Sequence, residues 1–470
     1  MKLIKLVKSE LYKILHKKLL YVLVIISAIF TIISGVADKI YENNSNNNNL
    51  EIIKTKIDNY ESMGDRSSYD YLDSKTTYDI EKLIEDKNIK EESPEEYYVR
   101  NNLYSYIYNY YFALSQDIST NGLKNIKDTM DVAINKLDNF DWKEIIQEEL
   151  KEINETVCED KSCEELKNEK LKVANYRLEN NIPKSSNIAS TTLEMYIGRF
   201  SEYQEVKDKN EDLMKYSEKY SKRSLEKEIK PIQYMIDNKL FTNDYKDNGF
   251  KWTWVVNMGE AGTIVAIALL ALSATIVAEE FNKGTIKQLL VKPYSRTKII
   301  ISKMLAVLIT AMLFKIIICI TTLIIEALFE GNILTVFGKH VIYNFNTGKC
   351  ISISYFTEGL LAYIYSLPEI ILLGIFVFAV SVVSTNTALS LGLGFGAFLS
   401  AGIFELMLGR FKFLSFSPTL NYNLNQYLFG NISEYEVLTL HKAIAVDIVS
   451  FIVLFVLILV VFNKKDIKNQ

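Results

Sequence analysis

Six ionisable residues lie in or beside stretches that are otherwise apolar: Glu260, Lys315, Glu326, Glu369, Glu405 and Asp447. A charge held at the middle of a hydrocarbon layer costs about 3 kcal/mol or more, so each is a candidate for contact with an ion or polar substrate, or for relaying a proton. Near the end of an apolar stretch the same residue needs only to reach the headgroups, and that plainer role suits several of them. Lys315, Glu369 and Glu405 are carried forward as intramembrane polar candidates. Glu369 leads, because it follows Pro368, whose ring frees backbone groups that need polar company.

Other chemistries find few residues. The phosphate-cradling pattern G-x-x-x-x-G-K-[ST] is not in the sequence: Gly338-Lys339 and Gly348-Lys349 are followed by His340 and Cys350 and lack the earlier glycine. The histidines at 16, 340 and 441 are scattered, and neither H-E-x-x-H nor G-x-S-x-G is present. The chain does not read as an enzyme, and no cofactor or metal is expected in it. Cys158 and Cys163, in "CEDKSC", would meet an oxidising exterior and could pair. On a straight helix residues five apart lie beyond the roughly 7 Å Cα limit for a disulfide, so pairing requires a turn between them; the sequence leaves both states open. No second cysteine pair or nearby histidine completes a tetrahedral zinc site.

The elements that must position these residues are apolar helices. Crossing a core about 30 Å thick takes roughly 20 residues at 1.5 Å each, and six windows qualify: 19–37, 256–278, 299–329, 356–384, 386–408 and 443–462. The first ends in Gly35-Val36-Ala37, like a signal cleavage site, but its apolar run exceeds the usual 7 to 15 residues of a signal, so it is kept as an anchor. Lysines at 2, 5, 8, 13, 17 and 18, the basic connection at 279–298 and the tail at 463–470 fall on one side, which the positive-inside bias makes cytoplasmic. The insertion at 38–252 then lies outside and, with 44 acidic and 32 basic residues, leaves 13 acidic and 21 basic for the membrane part. That part suits an anionic inner leaflet. The insertion has helical spacing, as in "DWKEIIQEELKEI", where Trp142, Ile145, Ile146, Leu150 and Ile153 share a face. Its tyrosine-rich stretch from Tyr97 to Tyr111 is read as domain core with headgroup contact. The lysine-, asparagine- and isoleucine-rich composition fits the A/T-rich codons of a low-GC bacterium. The expected fold is an all-α membrane protein: six transmembrane helices, an N-terminal interfacial helix at 1–18, and a large, mainly helical extracellular domain between helices 1 and 2.

"EEFNKGTIKQLLVKPYSRTKIIISK", residues 279 to 303, joins the second and third apolar windows. Ile286, Leu289 and Leu290 fall on one side and Lys283 and Lys287 on another, the spacing of a short amphipathic helix bounded by Gly284 and Pro293. The acidic pair, the Gly-Thr and the Ser-Arg with a following lysine resemble the coupling-helix region of ABC-2-type exporter permeases. The opening "MKLIKLVKSELYKILHKK" is similar to the interfacial helix with which those permeases begin. The resemblance implies a helix from about 282 to 292 that docks on a separate ABC ATPase subunit, which would bind the ATP and Mg. Coupling residues would be Glu279, Glu280, Lys283, Gly284, Thr285, Lys287, Pro293 and Arg296. It further implies a second permease chain, identical or not, and re-entrant helical hairpins within 409–442, a segment whose "FELMLGRFKFLSFSPTLNYNLNQYLFGN" is apolar and aromatic enough to fit. Membrane lipids complete the expected partners, with no nucleic acid, and the bacterial plasma membrane is the expected location. The function implied is export of an amphipathic or lipid-like substrate, such as an antimicrobial peptide or a drug. Two alternatives are a receptor whose outer domain binds ligand, and a secondary transporter. The first would want a cytoplasmic output domain; the second would show repeated halves with broken midplane helices, and no repeat is seen.

Overall fold

The computed structural model describes residues 2–47, 49–116, 119–207, 209, 215–243, 245, 250–259, 262–290 and 294–465. In chain order, α1 (Lys2–Leu15) is followed by α2 (Lys18–Asn47). The insertion adds α3 (Asn49–Ser62), α4 (Tyr69–Asp86), α5 (Pro94–Tyr97), α6 (Tyr104–Ser115), α7 (Thr120–Asn135), α8 (Trp142–Glu155), α9 (Lys161–Asn180), α10 (Ile188–Gln204) and α11 (Tyr216–Asp237). Then come α12 (Phe250–Gly259), α13 (Thr263–Asn282), α14 (Ile286–Leu290) and α15 (Arg296–Glu330). A two-stranded antiparallel hairpin, β1 (Lys339–Asn344) with β2 (Lys349–Ser354), precedes α16 (Tyr355–Ser384), α17 (Thr387–Leu408), α18 (Pro418–Asn421) and α19 (Leu440–Lys464).

Contacts divide the chain into two units, one of residues 1–35, 213–223 and 248–470 and the other of residues 36–212 and 224–247. Among the described residues six helical segments are long and apolar enough to cross a membrane, at 18–37, 254–282, 296–329, 355–384, 387–408 and 440–464. The chain is a multi-pass membrane protein, and it is mostly helical. The second and fourth segments are largely buried and form the centre of their unit, whereas the first, fifth and sixth bury little. Close approach at that centre depends on missing side chains. A Cβ at Gly394 would stand 2.7 Å from Val377 and 2.8 Å from Leu270, and one at Gly374 would stand 2.9 Å from Leu269.

Three features differ from the sequence expectation. The β1–β2 hairpin interrupts an otherwise all-α fold; its strands pair from Lys339 with Ser354 to Asn344 with Lys349, across a turn in which Gly348 takes φ +64°. The second apolar segment is two helices rather than one, because α12 ends at Gly259 and α13 starts after Gly262, whose φ of +67° a side chain would disfavour. The 409–442 segment holds no long re-entrant helix among the described residues. It is built of 3₁₀ turns at Lys412–Phe416 and Leu424–Gly430 around the four-residue α18.

In the insertion unit, Ile80, Tyr98, Val99, Leu103, Ile107 and Ala133 form a core against which Ile145 packs, and Ile146 on the same face of α8 is wholly buried. The tyrosines contribute rings to that packing and hydroxyls to carboxylates: Tyr104 donates to Asp73, and Tyr111 to Asp79. Cys158 and Cys163 are joined, with Cα atoms 5.4 Å apart. The required turn exists because Asp160 caps α9 by accepting from Cys163 N, which leaves Cys158 before the helix.

Candidate functional site

The inward stripe of α1 is Leu6, Glu10 and Ile14, at i, i+4 and i+8, so a carboxylate sits in the middle of an apolar face. Its partner is Lys303, two turns into α15 and with no exposed side-chain surface, which donates to Glu10 Oε2 at 3.0 Å and to Glu280 Oε1 at 2.6 Å. Lys13 donates to Glu10 Oε1 at 3.0 Å and lies 3.6 Å from Glu280. Two lysines and two carboxylates thus close a ring joining α1, the end of α13 and the start of α15. A more exposed arm continues it: Lys17 donates to Thr275 Oγ1 at 2.8 Å and lies 4.0 Å from Glu279, and Lys283 is 3.4 Å from Glu279. Burial pushes the Glu10 carboxyl up, but the charge of Lys303 and the hydrogen bond from Lys13 outweigh it and hold the group below its ordinary range. Burial lowers Lys13, and its bond to Glu10 reverses that and raises it.

The connection between α13 and α15 hangs from this ring. Gly284 turns the chain with φ +67°, and Ile286, the first residue of α14, is buried in the main apolar core. Lys283, Gly284, Thr285 and Lys287 are exposed. Pro293 lies outside the described residues, as does Lys292. Ser295 caps α15 by accepting from Lys298 N. Arg296 turns back onto the last helix, donating to Asn463 O at 3.1 Å and Lys465 O at 2.9 Å, because the final carbonyls of α19 have no donors within that helix. Lys465 in turn donates to Val382 O and Val383 O at the end of α16, at 2.9 and 3.0 Å. The ends of α15, α16 and α19 are therefore stitched together at the same basic end of the bundle.

A second polar cluster forms where the second apolar segment divides. The last carbonyls of α12 need donors and receive side chains: Cys319 Sγ on Asn257 O at 3.4 Å, Ser366 Oγ on Met258 O at 3.2 Å, and Asn425 Nδ2 on Gly259 O. Lys315, fully buried on α15, donates to Ser366 Oγ at 2.5 Å and stands 5.3 Å from the Tyr363 ring. Glu369, one helical turn beyond Ser366, is also buried, as is Asp447 of α19. Glu405 is not brought here; it lies exposed near the end of α17. Sequence reasoning missed Glu10, Lys303 and Ser366. Only Glu10 carried a signal, as the one acidic residue in the first 37.

A family model described as ABC-2 family transporter protein matches residues 4–467. Two proteins of Bacillus subtilis (strain 168) are similar in sequence. One, named uncharacterized protein YhcI, is 27% identical over 260 residues, covering 52% of this chain and 82% of its own length. The other, named uncharacterized membrane protein YdbK, is 26% identical over 201 residues, covering 42% of this chain and 76% of its own.

Proposed function

Because this chain belongs to the ABC-2 family of transporter proteins, we propose that it is the membrane-spanning permease subunit of an ABC exporter. A separate nucleotide-binding subunit binds ATP and Mg and docks on the exposed side of α14. Its closure drives an amphipathic or lipid-like substrate outward along a pathway built by two permease chains. The basic end of the bundle faces the cytoplasm and the insertion lies outside, as the distribution of lysines favours.

The observation that carries this reading is the buried ring of Glu10, Lys13, Glu280 and Lys303. Buried ion pairs are poor sources of net stability, since desolvation cancels most of their attraction, but they fix geometry, because any slip strands a charge. A push on α14 therefore cannot move the end of α13 without the start of α15 and α1 following. Ile286 anchors the pushed element in the core, while Lys283 and Lys287 remain outward for an acidic partner surface.

The test is charge reversal. Lys283→Glu with Lys287→Glu, in proteoliposomes holding this chain with the ATPase that copurifies with it, should cut substrate-stimulated ATP hydrolysis by at least tenfold and leave the melting temperature of the purified chain unchanged. Stimulation at the unaltered level, with assembly intact, would overturn the assignment of α14.

A further inference from the structure

Asp447 lies on the inward stripe of α19 with Ala443, Ile458 and Phe462, while Ile444, Ile448, Val449 and Ile452 are exposed on the outer side. It is the one ionisable residue of that stripe, only 7% exposed, and neither carboxylate oxygen has a hydrogen-bond donor among the described residues. The segment packed on α19 holds further buried polar atoms without partners: the Tyr427 hydroxyl and the Oδ1 atoms of Asn421 and Asn425. Tyr427 is close enough to feel the carboxylate, since burial first, then the charges of Tyr216 and Asp447, push its hydroxyl upward.

Lys442, five residues before Asp447, is engaged elsewhere: it donates to Ser415 Oγ at 2.6 Å and Val437 O at 3.1 Å and stands 4.0 Å from the Phe416 ring. A carboxyl without donors in such a medium either holds a proton or keeps its charge by meeting a counter-charge. On α19 and the segment packed on it, a carboxylate, two amide oxygens and a tyrosine hydroxyl are buried without partners, and such acceptors match a group with several N–H donors and a positive charge. Among the described residues no trio of His, Cys, Asp or Glu is arranged to hold a metal ion, so a coordinated metal is a poorer match.

We propose that Asp447 is the counter-ion for a protonated nitrogen of the transported molecule, with Tyr427 beside it, and that the substrate is therefore an amphipathic organic cation. This rests on the permease reading and narrows its substrate class. The probe is rhodamine 6G, a lipophilic cation, titrated into the purified full-length chain and followed by fluorescence anisotropy, with fluorescein as the anionic competitor. Asp447→Asn should weaken binding at least tenfold, Asp447→Glu should retain it within about threefold, and Glu405→Gln should leave it unchanged. Removing an unsatisfied buried charge should also leave the Asp447→Asn variant melting at or above the wild-type temperature, which separates lost binding from lost folding. The proposal is overturned if wild type does not bind the dye, if Asp447→Asn binds it equally, if fluorescein competes equally, or if Asp447→Asn melts lower. No ATPase enters the measurement. Absent dye binding with intact Lys287-dependent coupling therefore removes the cation while leaving the permease, and the reverse result removes the coupling alone.

Discussion

Lys303 and Glu10 stand 293 positions apart in sequence and 3.0 Å apart in space, and no spacing rule could have joined them. What the sequence did show at this scale was Lys287 exposed on α14 beside buried Ile286; Lys283, expected on the same helix of about 282 to 292, instead caps the end of α13 before the Gly284 turn, and the buried partners depend on which helices meet. Replacing Lys303 by Met leaves Glu10 and Glu280 with only the half-exposed Lys13 and should cost up to about 3–5 kcal/mol, the range for breaking a buried pair from one side, read as a fall in melting temperature of the detergent-solubilised protein. Adding Glu10→Gln and Glu280→Gln should recover most of that loss, since the stranded charges go with it. Acid should act through the same ring. The Glu10 carboxyl is held below its unfolded value, so its contribution is full above about pH 4.5 and disappears as pH falls through the lowered value. A melting temperature that drops below pH 4 in wild type, but drops less in Glu10→Gln, is the expected profile.

At the scale of elements, long apolar runs are legible because hydrocarbon admits few structures, and what divides them is less so. In the second run Glu260 marks an interruption before the strongest apolar part near Ile264, but the division into two helices depends on Asn425, Ser366 and Cys319 capping the freed carbonyls, and those lie 62 to 166 positions away. The β1–β2 hairpin is hidden because strands of six residues give a weak alternation beside a 30-residue helix. Packing of α13, α16 and α17 adds a demand that composition conceals. Gly394→Val would drive methyl groups into Val377 and Leu270, already 2.7 and 2.8 Å from the first added carbon. Overpacking of this kind costs about 1–3 kcal/mol, so the variant should melt several degrees lower. Gly392→Val on the same helix, which has open space around it, should melt close to wild type.

For the whole molecule, a formal charge of −4 conceals an acidic insertion and a basic membrane part. The proposed orientation rests on the lysines near the spans rather than on that net division, because lysines resist transfer across a membrane held negative inside, while a long insertion translocates largely regardless of charge. The prediction is a matter of accessibility, and native thiols set its background. Cys319 is buried, Cys158 and Cys163 are joined, and Cys350 is half-buried, so Cys350→Ser supplies a quiet starting chain. In that chain Lys287→Cys should react with a membrane-impermeant maleimide only after the cells are permeabilised, and Asn121→Cys, exposed on α7, should react in intact cells. Both positions are exposed in this chain, and labelling after permeabilisation in cells that make the chain without its ATPase separates the side of the membrane from cover by the partner. Labelling of Lys287→Cys from outside would place α14 beyond the reach of any cytoplasmic ATPase. The buried ring behind it would then be a structural clamp with no engine to move it.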